Sequence, residues 1–332
     1  MSREPSIAVV VPCYDEAATI AQVIADFRAA LPDARVIVCD NNSRDDTVAI
    51  ARAAGAELRR EAMQGKGNVV RRMLADIDAD AILLVDGDAT YDAASAPALL
   101  RMLLEERLDM VVAVREATDA AAYRAGHAWG NKALSGAVSL LFGRPVADML
   151  SGYRVLSRRF AKSFPTLATG FEIETELTVH ALVLRMPTGE LRTPYGARPA
   201  DSPSKLSTWR DGFRIGRMIL RLLRDERPLL FFSAVFAGLA ALSLALAAPV
   251  VAHFLATGLV PRLPTAVLAT GIMLQIGGLG MLSLLEPGWG EALSVAWVVA
   301  AQGLCGIAKD LTKTAAKSAI KATAREGAGQ LF

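Results

Sequence analysis

Residues 1–206 predict an α/β fold with a mostly parallel central sheet covered on both faces, followed by a basic helix and membrane-embedded helices. Three observations predict it. Short apolar runs of strand length recur ahead of segments with helical periodicity. Two carboxylates, Asp86 and Asp88, leave one of these runs at its end, the edge at which open α/β sheets bind ligands. The apolar residues, 53% of 332, are concentrated after Pro228.

Ile7 to Val11 is the first buried strand, ended by Pro12, and Asp15-Glu16 open a helix in which Ile20, Val23, Ile24 and Phe27 recur at helical spacing. Val36 to Cys39 is a second strand. It runs into Asp40-Asn41-Asn42-Ser43-Arg44-Asp45-Asp46-Thr47, ahead of a helix through Ala54. A short strand near Glu57 to Arg59 and a helix from Gly67 to Ile77 lead to the strand Ala81 to Val85. Pro97 to Glu106 reads as helix, Met110 to Val114 as strand and Ala125 to Phe142 as helix. Gly170 to Leu184 is an acidic helix whose Glu174 and Glu176 either face the site or complement the helix dipole.

Several classes are excluded. No G-x-G-x-x-G follows the first strand, and Gln64-Gly65-Lys66-Gly67-Asn68 lacks the spacing and hydroxyl of a P-loop, so neither a dinucleotide Rossmann domain nor a P-loop ATPase is indicated. The net charge of +2 hides a local basic cluster before the first apolar span and says little about partners, and nucleic acid is not implied. Cys13, Cys39 and Cys305 show no metal-ligand spacing and read as reduced core residues. No signal-peptide apolar region precedes the first strand, which leaves the front half in the cytoplasm.

Two acids one residue apart at a strand end suit a hard cation, Mg²⁺ or Mn²⁺, which is held by one or two carboxylates plus substrate phosphates. Lys66, between two glycines at a helix N-terminus, suits a phosphate or an acidic partner such as Asp40 or Asp86. Asp40, at the end of a strand, can accept from a base N–H or a ribose hydroxyl.

Val11-Pro12-Cys13-Tyr14-Asp15-Glu16, Asp40-Asn41-Asn42-Ser43 with Asp45 and Thr47, Gly65-Lys66-Gly67, Asp86-Gly87-Asp88 and Asp148-Met149-Leu150-Ser151-Gly152-Tyr153-Arg154 occur in that order. This set resembles the motifs of family 2 glycosyltransferases of the GT-A fold, in particular the branch of dolichyl-phosphate mannose synthase and the polyprenyl-phosphate glycosyltransferases. Asp15 stands where that family often has Asn, and Asn41 where a second acid is common. The resemblance implies transfer, with inversion, of a sugar from a nucleotide-diphosphate sugar to a polyprenyl phosphate or related membrane lipid. It implies that Pro12, Tyr14, Glu16 and Asp40 cradle base and ribose, and that Lys66 and Asp86 also serve the donor. Asp86 and Asp88 would hold the metal on the diphosphate, Asp88 directly. Arg115, Arg124, Arg198 and Lys205 would grip phosphate. Asp148 would face the acceptor, as general base for a hydroxyl or as an orienting group for a lipid phosphate. A hydroxyl-lipid or processive enzyme is the nearer alternative, although no Q-x-x-R-W is present. A non-catalytic membrane scaffold is the more distant one, disfavoured by the intact acid pair.

Arg210, Arg214, Arg217, Arg221 and Arg224 form one stripe of a helix over 207–227, with Phe213, Met218, Leu220, Leu222 and Leu223 supplying apolar surface, an interfacial pattern. Leu229 to Thr257 carries no Asp, Glu, Lys or Arg and is long enough to span, and Pro264 to Leu285 completes a hairpin within 228–285. The arginines before the first span place the catalytic domain at the cytoplasmic face of a bacterial-type plasma membrane. Residues 286–332 read as an apolar segment followed by lysines every four residues. The positive-inside tendency favours an interfacial or re-entrant helix there, and Gln302 to Lys313 resembles a fragment of a major-facilitator-type transporter.

Overall fold

The computed structural model describes residues 4–118, 125–165, 167–199, 208–258, 263–284 and 290–328. The chain divides into two compact units, Met1–Glu226 and Arg227–Phe332.

The first unit is built on a seven-stranded sheet. Its strands are β1 (Ile7–Cys13), β2 (Arg35–Asp40), β3 (Glu57–Arg60), β4 (Ala81–Leu84), β5 (Met110–Ala117), β6 (Arg154–Ser157) and β7 (Thr188–Tyr195), in the order β3-β2-β1-β4-β6-β5-β7. All run parallel except β6, which lies antiparallel between β4 and β5. The helices are α1 (Ile20–Ala30), α2 (Thr47–Ala53), α3 (Lys66–Asp76), α4 (Ala96–Glu105), α5 (Ala125–Phe142), α6 (Arg158–Ser163), α7 (Ile173–Val183) and α8 (Thr208–Glu226). Alternate residues of the central strands enter two separate cores. Val9, Val11, Val38, Leu83 and Val85 pack with α1, α2 and α4. Val10, Ile37, Ile82, Leu84 and Leu156 pack with α3 and α5 to α8. Burial on both faces is why these strands read as unbroken apolar runs.

Three features differ from the sequence reading. The first strand does not end at Pro12. Pairing of β1 with β4 stops at Val10 while pairing with β2 continues to Cys13, so the missing N–H of Pro12 falls where no β4 partner exists. Strands β6 and β7 had no clear signal: β6 is four residues long, and β7, TGELRTPY, is a largely polar strand at the sheet edge. Finally, α8 belongs to the first unit. Ile215, Met218, Ile219 and Leu222 are buried in the core shared with α5 and α7, so Met218, Leu222 and Leu223 are not available to a membrane. Arg214, Arg217, Arg221 and Arg224 are exposed, together with Phe213 and Leu220. The side chain of Arg210 lies outside the described residues.

The second unit comprises α9 (Pro228–Thr257), α10 (Leu263–Ser283) and α11 (Glu291–Ala328). Two stretches are long and apolar enough to cross a membrane, Pro228–Thr257 and Ala292–Lys317, while α10 carries a shorter apolar run, Ala266–Leu282. The expected partner of the first span is thus the shorter helix. The segment expected at the interface is part of one 38-residue helix. No proline interrupts Glu291–Ala328, and lysines spaced by four keep their charge on one stripe, so the helix continues through the change in polarity. α10 and α11 pack closely and antiparallel: Gly271 lies against Thr312 and Ala308, and Gly278 against Cys305 and Ala301.

Candidate active site

Because six strands are parallel, their C-terminal ends share one edge, and antiparallel β6 begins there. Leu84 and Val112 both pair with Arg154, which brings the Asp148–Tyr153 turn beside Asp86 and Arg115. The edge carries a cleft of about 660 Å³, and Pro12, Tyr14, Glu16, Lys66, Asp86, Asp88, Arg115 and Arg198 all line it. Asp40 and Asp148 stand behind that lining. Arg124 and Lys205 lie outside the described residues.

Asp88 is buried and aimed by its own turn. Ala89 takes a left-handed φ of 57°, which lets both Thr90 N (3.2 Å) and Thr90 Oγ1 (2.6 Å) donate to Asp88 Oδ1. Asp88 Oδ2 accepts from the Arg198 guanidinium. Asp86 Oδ1 lies 2.5 Å from Lys66 Nζ, which also lies 2.5 Å from Glu174 Oε1 on α7. Burial works against a charged Lys66, but the two carboxylates outweigh it and hold the ammonium protonated well above its usual range. Gly152 admits the Asp86 carboxylate: a Cβ there would lie 2.5 Å from Asp86 Oδ2. Gly65, at φ 129°, lets the chain enter α3 against the carbonyl of Thr169, setting Lys66 between α3 and α7.

Asp148 is 3% exposed and fully engaged. Arg115 donates to it through Nε (2.7 Å), Nη2 (2.8 Å) and its backbone N (3.2 Å), and Asn131 of α5 through Nδ2 (2.8 Å). Burial raises the carboxyl, yet these bonds to the ionised form prevail and its pKa is lowered. Arg115 is oriented so that it, not Asp148, forms the cleft wall, and its guanidinium lies over the Tyr195 ring.

At the opposite end the acids shape loops. Asp40 accepts from Asn42 N and Ser43 N, closing the turn after β2. Asp15, at φ 50°, accepts from Arg44 N, a conformation that Asp and Asn share, which accounts for Asp in a position where Asn is common. Asn41 spans the β3–α3 connection, donating to Glu61 O and Met63 O and accepting from Gly65 N. A second acid there could not donate those two bonds.

Among the described residues no group of three or more His, Cys, Asp or Glu is arranged to hold a metal ion. Of the carboxylates that line the cleft, Asp86 and Asp88 at the end of β4 are a donor pair that fits a hard cation completed by phosphate oxygens and water.

The profile of glycosyl transferase family 2 matches residues 8–164. Glycosyltransferase AglJ of Haloferax volcanii is 34% identical over 238 residues, covering 71% of this chain and 78% of its own. The chain belongs to glycosyltransferase family 2. The dolichyl-phosphate hexose transferase of the same organism is 28% identical over 222 residues, 67% of this chain and 95% of the relative. Glucosyl-3-phosphoglycerate synthase of Mycobacterium tuberculosis, solved with Mn²⁺, UDP and glucosyl-3-phosphoglycerate, superposes with a TM-score of 0.55 at 25% identity, covering 67% of this chain and 80% of that one. The first unit therefore has the GT-A fold, and the protein is a glycosyltransferase.

Two residues of this glycosyltransferase's site carried little sequence signal. Glu174 emerges as the second partner of Lys66, whereas Glu176 accepts from Leu167 N and Ala168 N and holds a loop. Their common position in a first helical turn hides this difference. Arg154 is fully buried, donating to Ser151 O, Met149 O and Thr178 Oγ1, so it is the strut that holds the Asp148 turn to α7.

Proposed function

We propose that this enzyme transfers a hexose from a nucleotide-diphosphate sugar to the phosphate of a polyprenyl lipid, with inversion at the anomeric carbon and with a divalent cation on the donor. The commitment of Asp148 to Arg115 and Asn131 carries this reading. A hydroxyl acceptor needs a base to take its proton, and a carboxylate whose pKa is lowered and whose oxygens are engaged is a poor one. A phosphate acceptor is already anionic at neutral pH and needs no base. What it needs is cations, and Arg115 and Arg198 line the cleft.

In this mechanism Pro12, Tyr14 and Glu16 hold the nucleoside, with Asp40 and Asn41 shaping the loops behind them. Asp86 and Asp88 would hold Mg²⁺ or Mn²⁺, which when bound supplies Lewis-acid neutralisation of the diphosphate. Lys66 fixes Asp86 and adds positive potential at the same end. Arg115, held rigid by Asp148, grips the acceptor phosphate, joined by Arg198 and by Arg124 and Lys205. A phosphate oxygen attacks the anomeric carbon as the bond to the donor's β-phosphate oxygen breaks. The leaving electron pair stays with the nucleoside diphosphate, and no proton is transferred. Preorganised cations at the departing charge are the main source of rate enhancement. Asp148 is a positioning residue.

The relative named as a dolichyl-phosphate hexose transferase and the Mn²⁺ and UDP of the solved neighbour support the acceptor and cofactor classes. We further propose that Pro228–Thr257 and Ala292–Lys317 anchor the enzyme as a multi-pass protein of a bacterial-type inner membrane. The arginines just before α9 favour a cytoplasmic catalytic unit.

The test is a transfer assay on detergent-purified protein with undecaprenyl or dolichyl phosphate, Mn²⁺ or Mg²⁺, and a panel of labelled UDP- and GDP-sugars. Labelled lipid from one donor, absent in Asp88→Ala and absent with the dephosphorylated alcohol, is expected. Equal transfer to the free alcohol would overturn the phosphate-acceptor reading.

A further inference from the structure

On the reading that a hexose is transferred in this cleft, we infer that Tyr91 selects the sugar: its phenol donates a hydrogen bond to one hydroxyl oxygen of the hexose.

Tyr91 lies beyond the Asp86 and Asp88 pair on the loop after β4, and it lines the cleft. Its oxygen accepts from Gly152 N (2.8 Å). A phenol also has one hydrogen to give, and among the described residues no group accepts it. Burial pushes the phenol's pKa up, Arg115 opposes and Asp86 assists, so the hydroxyl keeps this hydrogen throughout the neutral range. A buried donor without a partner is costly. A ligand that enters the cleft with an acceptor at this point removes the cost.

The hydroxyl is also fixed in direction. The Tyr91 ring packs edge-on against Tyr153 (centroids 5.4 Å apart) and Tyr195 (5.2 Å), and its backbone bridges to Tyr195. It cannot turn away from the cleft without breaking these contacts.

Strand order identifies the group it meets. Along this edge the strands run β2-β1-β4-β6-β5. Pro12, Tyr14 and Glu16, proposed for the nucleoside, stand at the end of β1 and just beyond it, Asp86 and Asp88 follow β4, and Arg115 lies in β5. Gly152 precedes β6, the strand that separates β4 from β5. The phenol anchored on Gly152 therefore lies between the acids proposed for the diphosphate and the arginine proposed for the acceptor phosphate. It is close to the first of these, since a Cβ on Gly152 would lie 2.5 Å from Asp86 Oδ2. What bridges a departing diphosphate and an attacking phosphate is the hexose. A neutral donor suits a neutral hydroxyl, while cations serve the phosphates on either side. A fixed donor of this kind rejects a sugar that lacks the matching hydroxyl, because the phenol is then left unpaired.

The experiment measures equilibrium binding, with Mn²⁺, to full-length wild type and Tyr91→Phe in detergent. The probes are UDP-glucose, UDP-N-acetylglucosamine and GDP-mannose, each beside its free nucleoside diphosphate. Tyr91→Phe keeps the ring and removes only the hydroxyl. It is expected to weaken the sugar nucleotide that binds by about ten-fold, the scale of one buried hydrogen bond, and to leave the nucleoside diphosphate unchanged. Among the monodeoxy forms of that sugar nucleotide, one should bind wild type and Tyr91→Phe equally, since it lacks the hydroxyl that the phenol meets. Equal weakening of the nucleoside diphosphate would mean that Tyr91 acts only through the Gly152 turn beside Asp86, and the sugar contact would be overturned. An unchanged affinity for the sugar nucleotide, or a difference that survives in every monodeoxy form, overturns it as well. If wild type binds none of the three sugar nucleotides, the hexose-donor reading itself fails.

Discussion

Replacing Asp148 by Asn separates a positioning carboxylate from a catalytic base with little change of volume. The carboxylate accepts four hydrogen bonds, three from Arg115 and one from Asn131. An Asn side chain keeps one acceptor oxygen, so about half of these contacts are lost. Bonds to charged groups are worth roughly 1.5–3 kcal/mol each. Because Arg115 is 14% exposed at a cleft and water recovers part of the loss, the net cost to stability is about 3 kcal/mol. For a domain of this size that is roughly 6–12 °C in Tm by thermal shift. In the transfer assay the loosened Arg115 should raise the acceptor KM by about ten-fold or more, through the loss of phosphate binding. The pH profile decides between the roles. The native pKa of Asp148 is depressed, so its stabilisation is complete above the unfolded value of about 3.9 and is lost only as pH falls through the still lower native value. It cannot generate a limb between pH 5 and 8. Any acid limb near the second ionisation of a phosphate monoester, about pH 6, belongs to the acceptor and should be unchanged in Asp148→Asn. Disappearance of that limb, or restoration of activity by added azide or formate, would show that Asp148 is a base after all. A double-mutant cycle with Arg115→Ala should be strongly non-additive, since both changes disable one clamp.

Other consequences concern the neighbouring groups. Lys66→Met leaves Asp86 and Glu174 facing each other without their shared cation and should cost about 3–5 kcal/mol in chemical denaturation. Adding Glu174→Gln should restore most of that stability without restoring donor binding. Gly152→Ala drives a methyl to 2.5 Å from Asp86 Oδ2, so Mn²⁺-dependent binding of the nucleotide should weaken, with a stability loss of about 1–3 kcal/mol. Burial, reinforced by Glu61 and Asp40, pushes the Cys39 thiol up to about 12. Mass spectrometry after maleimide treatment at pH 8 should find Cys39 unmodified in the native protein and modified in denaturant.

Local physics determined much of this protein from the sequence alone. Strands buried on both faces need apolar runs, so β1, β2, β4 and β5 were visible. Asp86 and Asp88 were visible at the end of such a run, where they line the cleft, and Asp40 was found at its strand end although it shapes a turn behind the cleft. A helix able to cross a membrane must be long and apolar, so the helix over 229–257 was evident.

What tertiary structure alone decided is pairing. Lys66 had several acids within plausible reach, and only the closeness of α3 to α7 beside β4 assigns it to Asp86 and Glu174. Asp148 read as base or orienting group, and its pairing with Arg115 emerged only where antiparallel β6 brought its turn there. The stripe on α8 displayed both its arginines and its leucines, but which leucines face a core depends on α5 and α7, segments distant in sequence. Composition and period report what each residue requires of its surroundings. Which partner meets that requirement is set by strand order and helix packing, and those depend on the whole chain.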